Sequence, residues 1–375
     1  MAANQIPEKM KGLAITAYSQ PKDYTVLPTL DVPKITKPDD ILIRVAAASF
    51  NPIDVKFAAG MVKMFVQATF PYKIGLDVSG VVAAVGDQVK NVNVGDEVFT
   101  KVPLEYRGTC AEYVLGTDAT TVQKPKNLSF KDAASIPLVG LTALECLRWA
   151  DSQLEGGLRG KTVLIPAGMG GTGSMAIQLA LYHFNAGKVI TTLSTGKMAM
   201  AKEFFGHEAE VGTGKVEGIL EYVDYTKEDI FQKVPAASVD VLFDNLGVGN
   251  TYASLLKRGS VIVSIAGLPS GDDIKAAMPG LPLVAKWGIN AIHGALSFRF
   301  SAVGIKYRYI FMHETHEMMM ELKRMVEAGI IKPLVGASPR MDDVEELRKK
   351  CQEIYDGKGV IGKVVAEVWN PETSA

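Results

Sequence analysis

The residues best suited to chemistry are three glycines inside one short run. Lys161-Thr162-Val163-Leu164-Ile165 is an apolar, strand-like stretch that flows through Pro166 and Ala167 into Gly168-Met169-Gly170-Gly171-Thr172-Gly173. Apolar residues at helical spacing then continue to Ala180. Gly168, Gly170 and Gly173 satisfy the dinucleotide fingerprint, in which glycines allow a tight turn, close backbone approach to a pyrophosphate, and close packing of helix on strand at an anion-favouring helix N-terminus. With Gly171 and Thr172 between them, they form the expected cofactor loop. A lone glycine-rich turn would be the bland alternative, but the strand before and the helix after supply the context the motif needs. Val189–Ser194 reads as the next strand. Its end lies about 20 residues past the glycines, where an NAD site places an acidic residue on the ribose 2′-hydroxyl. This chain has Ser194, Thr195, Gly196 and Lys197 there. Two hydroxyls and an ammonium accept a 2′-phosphate, whereas a carboxylate repels it, so NADPH is favoured over NADH. An ordinary polar turn with a solvated lysine is the alternative.

The elements that would hold such a site change character near residue 135. Before it come short alternating segments such as Ile41–Val45 and Val78–Gly86, broken by Pro and Gly turns, which predict a compact, mostly antiparallel β domain. From about 135 to 305 helical and strand patterns alternate, with Val239–Asn245 and Gly259–Gly267 as later parallel strands. The expected α/β architecture is therefore a β-rich catalytic domain from residues 1–134, a doubly wound Rossmann domain over 135–306, and a return to the first domain over 307–375. Asn245 and the Ser264–Gly267 turn, with Ala266, fall at strand C-terminal ends. An open α/β sheet binds its ligand there, so these residues should border the nicotinamide half of the cofactor. Val360 and Ile361, on the returning segment, are expected to add backbone contacts.

Composition narrows the function class. A chain of 375 residues exceeds what one core normally serves. A net charge of -1, spread rather than blocked, argues against nucleic acid as a partner. Residues 1–9 show neither an apolar core nor a basic amphipathic pattern, so a cytoplasmic location is the expectation. Cys110, Cys146 and Cys351 are unpaired in spacing. Three cysteines cannot build a four-cysteine zinc lobe, and a disulfide scaffold is implausible.

Order and motifs together resemble the medium-chain dehydrogenase/reductase superfamily, in its zinc-free quinone oxidoreductase-like and enoyl reductase branch, over nearly the whole chain. The landmarks are Asn51-Pro52-Ile53-Asp54-Val55-Lys56, Gly75-Leu76-Asp77-Val78-Ser79-Gly80, Val94–Val98, Gly140-Leu141-Thr142-Ala143, the glycine loop, Val223-Asp224-Tyr225 and Gly362-Lys363-Val364-Val365. The resemblance implies a GroES-like first domain beside the Rossmann domain. In the superfamily's alcohol dehydrogenases a catalytic metal sits on a cysteine, a histidine and a second cysteine or acid. Here the first position falls near Asn51–Asp54, and Leu76 stands in the place of the histidine. Leucine cannot ligate a metal, so no metal is expected and hydride transfer must rely on positioning and hydrogen bonds.

That points to conjugate reduction of an α,β-unsaturated carbonyl, whose electrophile is activated by its own carbonyl. The expected substrate is a small hydrophobic enone, enal or enoyl thioester, a polyketide-like intermediate included. By the resemblance Lys56 stabilises the enolate or donates a proton, or else is a surface lysine that contacts the cofactor. Asn51 and Thr142 orient the nicotinamide and ribose, or serve only as turn and helix-start residues. Asp77 bonds the backbone or relays a proton, the structural role being favoured. Tyr225 packs near the adenosine phosphate, although the link from Phe205 to Tyr222, with Gly212, Gly214 and Gly218, is longer than the usual one. A quinone oxidoreductase and a non-catalytic NADPH-binding regulatory or structural protein remain the alternatives.

Three other signals are discounted. His313-Glu314-Thr315-His316 lacks zinc-binding i, i+4 spacing and reads as a helix start. Met318–Met320 cannot all face one side of a helix, so it divides between core and surface. Residues 274–311 are apolar, but Lys286, Arg299, Lys306, Arg308, Pro279 and Pro282 leave no span near the ~20 apolar residues needed to cross a bilayer. They read as walls of the substrate pocket, with a dimer contact or a peripheral membrane patch as alternatives. Monomer and homodimer both remain open.

Overall fold

The computed structural model of the chain describes residues 6–64, 67–206, 218–358 and 360–369. In chain order the strands and helices of the first stretch are β1 (Lys9–Ile15), β2 (Thr25–Asp31), β3 (Asp40–Phe50), α1 (Pro52–Ala58), β4 (Tyr72–Lys73), β5 (Asp77–Val85), β6 (Glu97–Lys101), β7 (Tyr113–Thr117), β8 (Val122–Gln123), α2 (Phe130–Ala134) and α3 (Pro137–Gln153). The alternating stretch holds β9 (Thr162–Ile165), α4 (Gly171–Gln178), β10 (Lys188–Leu193), α5 (Thr195–Phe205), β11 (Ile219–Asp224), α6 (Ile230–Lys233), β12 (Val239–Asp244), α7 (Gly249–Tyr252), β13 (Leu256–Ser264), α8 (Gly271–Ala277), α9 (Leu283–Ala302) and β14 (Lys306–Tyr309). The chain closes with α10 (His316–Glu327), β15 (Val335–Ala337), α11 (Val344–Asp356) and β16 (Lys363–Glu367).

Two compact units result, one of residues 1–141, 314–327 and 333–375, the other of 142–313 and 328–332. In the first unit β3 is the long central strand. It pairs antiparallel with β5, β7 and β16, inside a seven-stranded sheet whose path runs β15-β16-β3-β5-β6-β8. Ten of its residues are buried, because it is covered on both faces and reads as an almost unbroken apolar run. A smaller sheet, β2-β1-β4, lies in the same unit. This is the curled, mostly antiparallel GroES-like domain expected from the first 134 residues. Strand β16 arrives from the far end of the sequence and sets Val364 opposite Phe50.

The second unit is a six-stranded parallel sheet in the order β11-β10-β9-β12-β13-β14. The order reverses between β9 and β12, and such a switch point opens the crevice where a doubly wound sheet binds its ligand. Leu164, Ile190, Leu242 and Ile262 are buried in one core cluster with Val223, Phe300 and Ile305. Every parallel strand therefore has to be apolar on a face covered by helices. All three cysteines are buried thiols. The long link after Phe205 is described only at its ends, since residues 207–217, with Gly212 and Gly214, lie outside the described residues.

Candidate active site

In the parallel unit, the glycine loop joins β9 to α4. Its left-handed residue is Ala167, at φ 50°, and none of the three fingerprint glycines has a positive φ. They are required for space instead. A Cβ on Gly168 would lie 2.2 Å from the Thr191 hydroxyl on β10 and 2.6 Å from Ile177 on α4, and one on Gly173 would lie 2.4 Å from the Ala167 carbonyl. Gly170 differs in degree, since a Cβ there would meet only the Ala167 carbonyl, at a tight 3.3 Å. Gly170 is also the N-cap of α4 and caps nothing with a side chain. The first-turn N–H groups at Gly171 and Thr172 are thus left for an outside anion.

The end of β12 adds a second feature. Asn245 donates Nδ2 to the Pro166 carbonyl at 2.7 Å, which ties the loop to the neighbouring strand. Its Oδ1 is buried and has no partner among the described residues. A buried acceptor left unpaired is costly, and a ligand donor would satisfy it. Next to it, Asp244 accepts the N–H of Val248 at 2.7 Å and the Ser264 hydroxyl at 3.0 Å, while Ser264 Oγ in turn accepts the Gly267 N–H at 2.8 Å. These bonds shape the turn that carries exposed Ala266. A glycine loop, an uncapped helix N-terminus and an orphaned amide oxygen at one switch point fit a dinucleotide.

Ser194 caps α5 without a side-chain bond, and Thr195 and Lys197 follow in its first turn. Tyr225 joins them from the end of β11, held by its N–H to the Leu193 carbonyl at 3.0 Å and 61% exposed. Burial of part of the Lys197 side chain lowers its pKa. Asp224, named in the sequence only within the landmark before Tyr225, acts between them. Its carboxylate accepts the Thr195 hydroxyl at 2.5 Å and the Thr226 hydroxyl at 2.7 Å, and these bonds hold it below the usual carboxylate range. The Thr195 hydroxyl is thereby a committed donor to Asp224. Thr142 is buried near the start of α3, at the first residue of this unit.

In the β-rich unit, Asn51 is the N-cap of α1, Lys56 lies within that helix, and Val360 and Ile361 lead into β16. The Ile361 carbonyl approaches Gly336 so closely that a Cβ there would sit 1.8 Å from it. Lys56 is exposed in the last turn of α1. Asn51 is 1% exposed and belongs to a buried polar cluster. Its Nδ2 donates to Asp77 Oδ2 at 2.9 Å, and its backbone N–H donates to Asp54 Oδ2 at 2.7 Å in a capping box. Asp77 also accepts the Ser49 hydroxyl at 3.0 Å and the Leu138 N–H at 2.9 Å. This backbone bond is the structural role favoured for Asp77 from sequence.

The missing member of that cluster is Lys363, noted in the sequence only as part of a closing landmark. Its side chain is 4% exposed, and Nζ lies 3.2 Å from Asp77 Oδ2 and donates to Asn51 Oδ1. Burial pushes the Lys363 pKa down against the pull of Asp77 and Asp54. Asp54 is raised to about 7 by burial first and by the Asp77 charge second. The donor set near Asn51–Asp54 and Leu76 is therefore an amide, carboxylates and an ammonium already ion-paired to one of them. Zinc binds thiolate, imidazole and carboxylate in a tetrahedron, which this set does not fit. Among the described residues no group of three or more His, Cys, Asp or Glu could hold a metal. His313 and Glu314 are tied to separate partners, Glu145 at 3.0 Å and Lys101 at 2.6 Å, and α10 begins at His316 as the helix-start reading expects. Met318 and Met319 are buried and Met320 is half-buried.

Residues 37–141 match the family described as alcohol dehydrogenase GroES-like domain, and 218–365 match the one described as zinc-binding dehydrogenase. Among curated relatives, the chain is 36% identical to the 2-methylene-furan-3-one reductase of Solanum lycopersicum over 70% of its length and 63% of the relative's. It is 34% identical to the chloroplastic NADPH-dependent alkenal/one oxidoreductase of Arabidopsis thaliana, over 70% of the chain and 64% of that relative. The match thus spans less than two thirds of either plant protein. It is 30% identical to the mitochondrial reticulon-4-interacting protein 1 of Caenorhabditis elegans, over 89% of the chain and 90% of the relative. The quinone oxidoreductase of Coxiella burnetii superposes with a TM-score of 0.74 at 28% identity, covering 96% of this chain and 100% of that one.

Proposed function

The chain belongs to the medium-chain dehydrogenase/reductase superfamily, in its quinone oxidoreductase-like and enoyl reductase branch, and from that premise we propose that it is an NADPH-dependent reductase of the C=C bond of α,β-unsaturated carbonyls. Bound NADPH would supply the hydride to the β-carbon of the substrate. The observation that carries the reading is the internal ammonium of Lys363, ion-paired to Asp77 in the cluster near Asn51. Without a Lewis acid to polarise an alcohol or an isolated carbonyl, the substrate must bring its own activation, and a conjugated carbonyl does so.

In this reading the first turn of α4, with Gly168, Gly170, Gly171, Thr172 and Gly173, holds the pyrophosphate. Ser194 and Lys197 take the 2′-phosphate, with Thr195 and Tyr225 beside them. Asn245 Oδ1 and the turn at Ala266 receive the nicotinamide half. Thr142, Asn51, Val360 and Ile361 complete the cofactor contacts. Asn51 contributes mainly position, because both of its side-chain polar groups are bonded inside the cluster. Lys56, exposed and outside that cluster, stabilises the enolate oxygen that forms when hydride arrives and assists proton delivery to the α-carbon.

The curated names of the two plant relatives, a furanone reductase and an alkenal/one oxidoreductase, support an enone or enal substrate. The second reading, quinone reduction, is favoured by the likeness to the Coxiella burnetii quinone oxidoreductase. No helix among the described residues is long and apolar enough to cross a membrane. Cytoplasmic location stays part of the proposal, set against the mitochondrial and chloroplastic names of relatives. The test is NADPH oxidation by the purified protein, with and without chelator, against enones, enoyl thioesters, quinones and simple alcohols. Chelator-insensitive turnover of an enone or thioester is expected. Preference for quinones selects the second reading, and tight NADPH binding with no turnover selects a non-catalytic role.

A further inference from the structure

The β-rich unit carries a second cationic feature besides the cluster around Lys363. Strand β4 and the turn Leu104–Tyr106 bound a cavity of about 150 Å³, and both Lys73 and Arg107 line it. Arg107 donates one N–H to the Leu104 carbonyl at 3.1 Å and lies over the Tyr72 ring, 4.3 Å from its centroid. The remaining guanidinium donors have no carboxylate to meet among the described residues. Lys73 is half-buried, and its stem lies along Gly108, where a Cβ would sit 2.3 Å from Lys73 Cβ and 3.1 Å from its Cε. Its ammonium has no ion-pair or hydrogen-bond partner among the described residues. Burial first and the Arg107 charge second hold Lys73 below the usual lysine range. The neighbouring acids are already engaged. Glu105 pairs with Lys37 at 2.7 Å, and Asp40 accepts the Tyr106 hydroxyl at 2.5 Å with the Thr36 and Lys37 N–H groups at 2.9 Å and 2.8 Å. Two like charges held together away from bulk water are costly until an anion joins them.

We propose that this cavity binds a phosphate group, with Arg107 and Lys73 as its two cationic ligands. The Tyr72 face fixes the plane of the guanidinium, which leaves its edge to bind two oxygens side by side, while the Lys73 ammonium acts as a compact point charge. A phosphate monoester carries about −1.5 to −2 charges at pH 7 and so balances both cations, whereas a single carboxylate leaves one of them uncompensated. The volume is about half of the ~300 Å³ at which pockets for whole small molecules begin, so the phosphate group itself fills the cavity, either as the free ion or as the end of a monoester. Glu105 is the one acidic residue among those lining the cavity. It opposes an anion, and its bond to Lys37 offsets most of that opposition. The site draws only on the β-rich unit and is independent of the reaction proposed above.

Calorimetric titration of the full chain with inorganic phosphate and with glycerol 3-phosphate tests this without reference to turnover. NADP⁺ is kept in excess so that the glycine loop is filled. The wild type should bind at least one probe with a submillimolar dissociation constant. Lys73→Met keeps the stem against Gly108 and removes the charge, and it should weaken binding by about tenfold or more, as should Arg107→Met. Glu105→Gln changes a side chain that is 59% exposed and takes away the opposing charge, so it should tighten binding by about two- to fivefold, a gain that misfolding cannot imitate. Tighter binding of glycerol 3-phosphate supports the site and assigns it to a monoester; equal or tighter binding of inorganic phosphate supports it and assigns it to the free ion. A wild type that takes up neither probe at about 10 mM overturns the proposal. So does an affinity that is unchanged in Lys73→Met and Arg107→Met, a Glu105→Gln variant that binds no tighter, or acetate bound as tightly as phosphate.

Discussion

Replacing Lys363 by methionine keeps the apolar stem and removes the ammonium from a buried cluster. The Lys363 and Asp77 side chains are 4% and 0% exposed and their charged atoms are 3.2 Å apart. At that separation two unit charges attract by about 5 kcal/mol at an effective dielectric constant of ~20. Desolvation offsets much of this in the intact pair. Once the cation is gone the Asp77 carboxylate keeps only the Ser49, Asn51 and Leu138 donors, and Asn51 Oδ1 loses its bond. Breaking a buried pair from one side costs about 3–5 kcal/mol. For a unit of this size that lowers the midpoint of its unfolding transition by about 6–20 °C. Thermal unfolding of Lys363→Met, beside the double variant Lys363→Met with Asp77→Asn, decides the matter. The double variant carries no stranded charge and should recover about half of the loss or more. If the single variant unfolds within ~2 °C of wild type, or the double is no better than the single, the ion pair is not what holds this cluster together.

Other outcomes follow from the same structure. Because burial raises Asp54 to about 7 from its ordinary carboxylate value, the folded state holds that proton more tightly than the unfolded chain. Its contribution to stability is fully present below pH ~4 and is lost as pH rises through 7, so urea midpoints should fall across that window in wild type and flatten in Asp54→Asn. Gly168→Ala, whose Cβ would lie 2.2 Å from the Thr191 hydroxyl, should lose about 1–3 kcal/mol of stability, whereas Gly170→Ala, with one milder contact at 3.3 Å, should cost less stability and weaken NADPH binding, as calorimetry would show. Lys197→Glu should weaken NADPH roughly tenfold to a hundredfold in fluorescence titration and leave NADH nearly as it was, since one hydrogen bond to a charged group contributes about 1.5–3 kcal/mol. Lys56→Ala should lower turnover by about 10²-fold with normal NADPH affinity, and unchanged turnover would remove Lys56 from the chemistry.

What could be seen in the sequence and what could not divides along contact range. The glycine loop is local, a strand, a turn and a helix within twenty residues, so spacing alone predicts it, and the alternation of strands and helices predicts a doubly wound parallel sheet. The polar turn at Ser194–Lys197 is legible for the same reason. Its dependence on Asp224 is not, because that carboxylate comes from the next strand and reaches Thr195 only after β10 and β11 pair in register. Lys363 is the extreme case. It meets Asn51 across 312 residues of chain, and in sequence it is an ordinary lysine opening a strand. The sequence shows that metal ligands are missing near Asn51 and Leu76, but only the fold shows that a lysine is paired with Asp77 there. Residues 274–311 show a further limit. In sequence they read as pocket walls, with a dimer contact or a membrane patch as alternatives, and in the fold Leu281, Phe300 and Ile305 are buried while Leu283, Val284, Trp287, Ile292 and Phe298 are exposed. A pattern of apolar residues states how much surface must be covered; it does not state which molecule covers it.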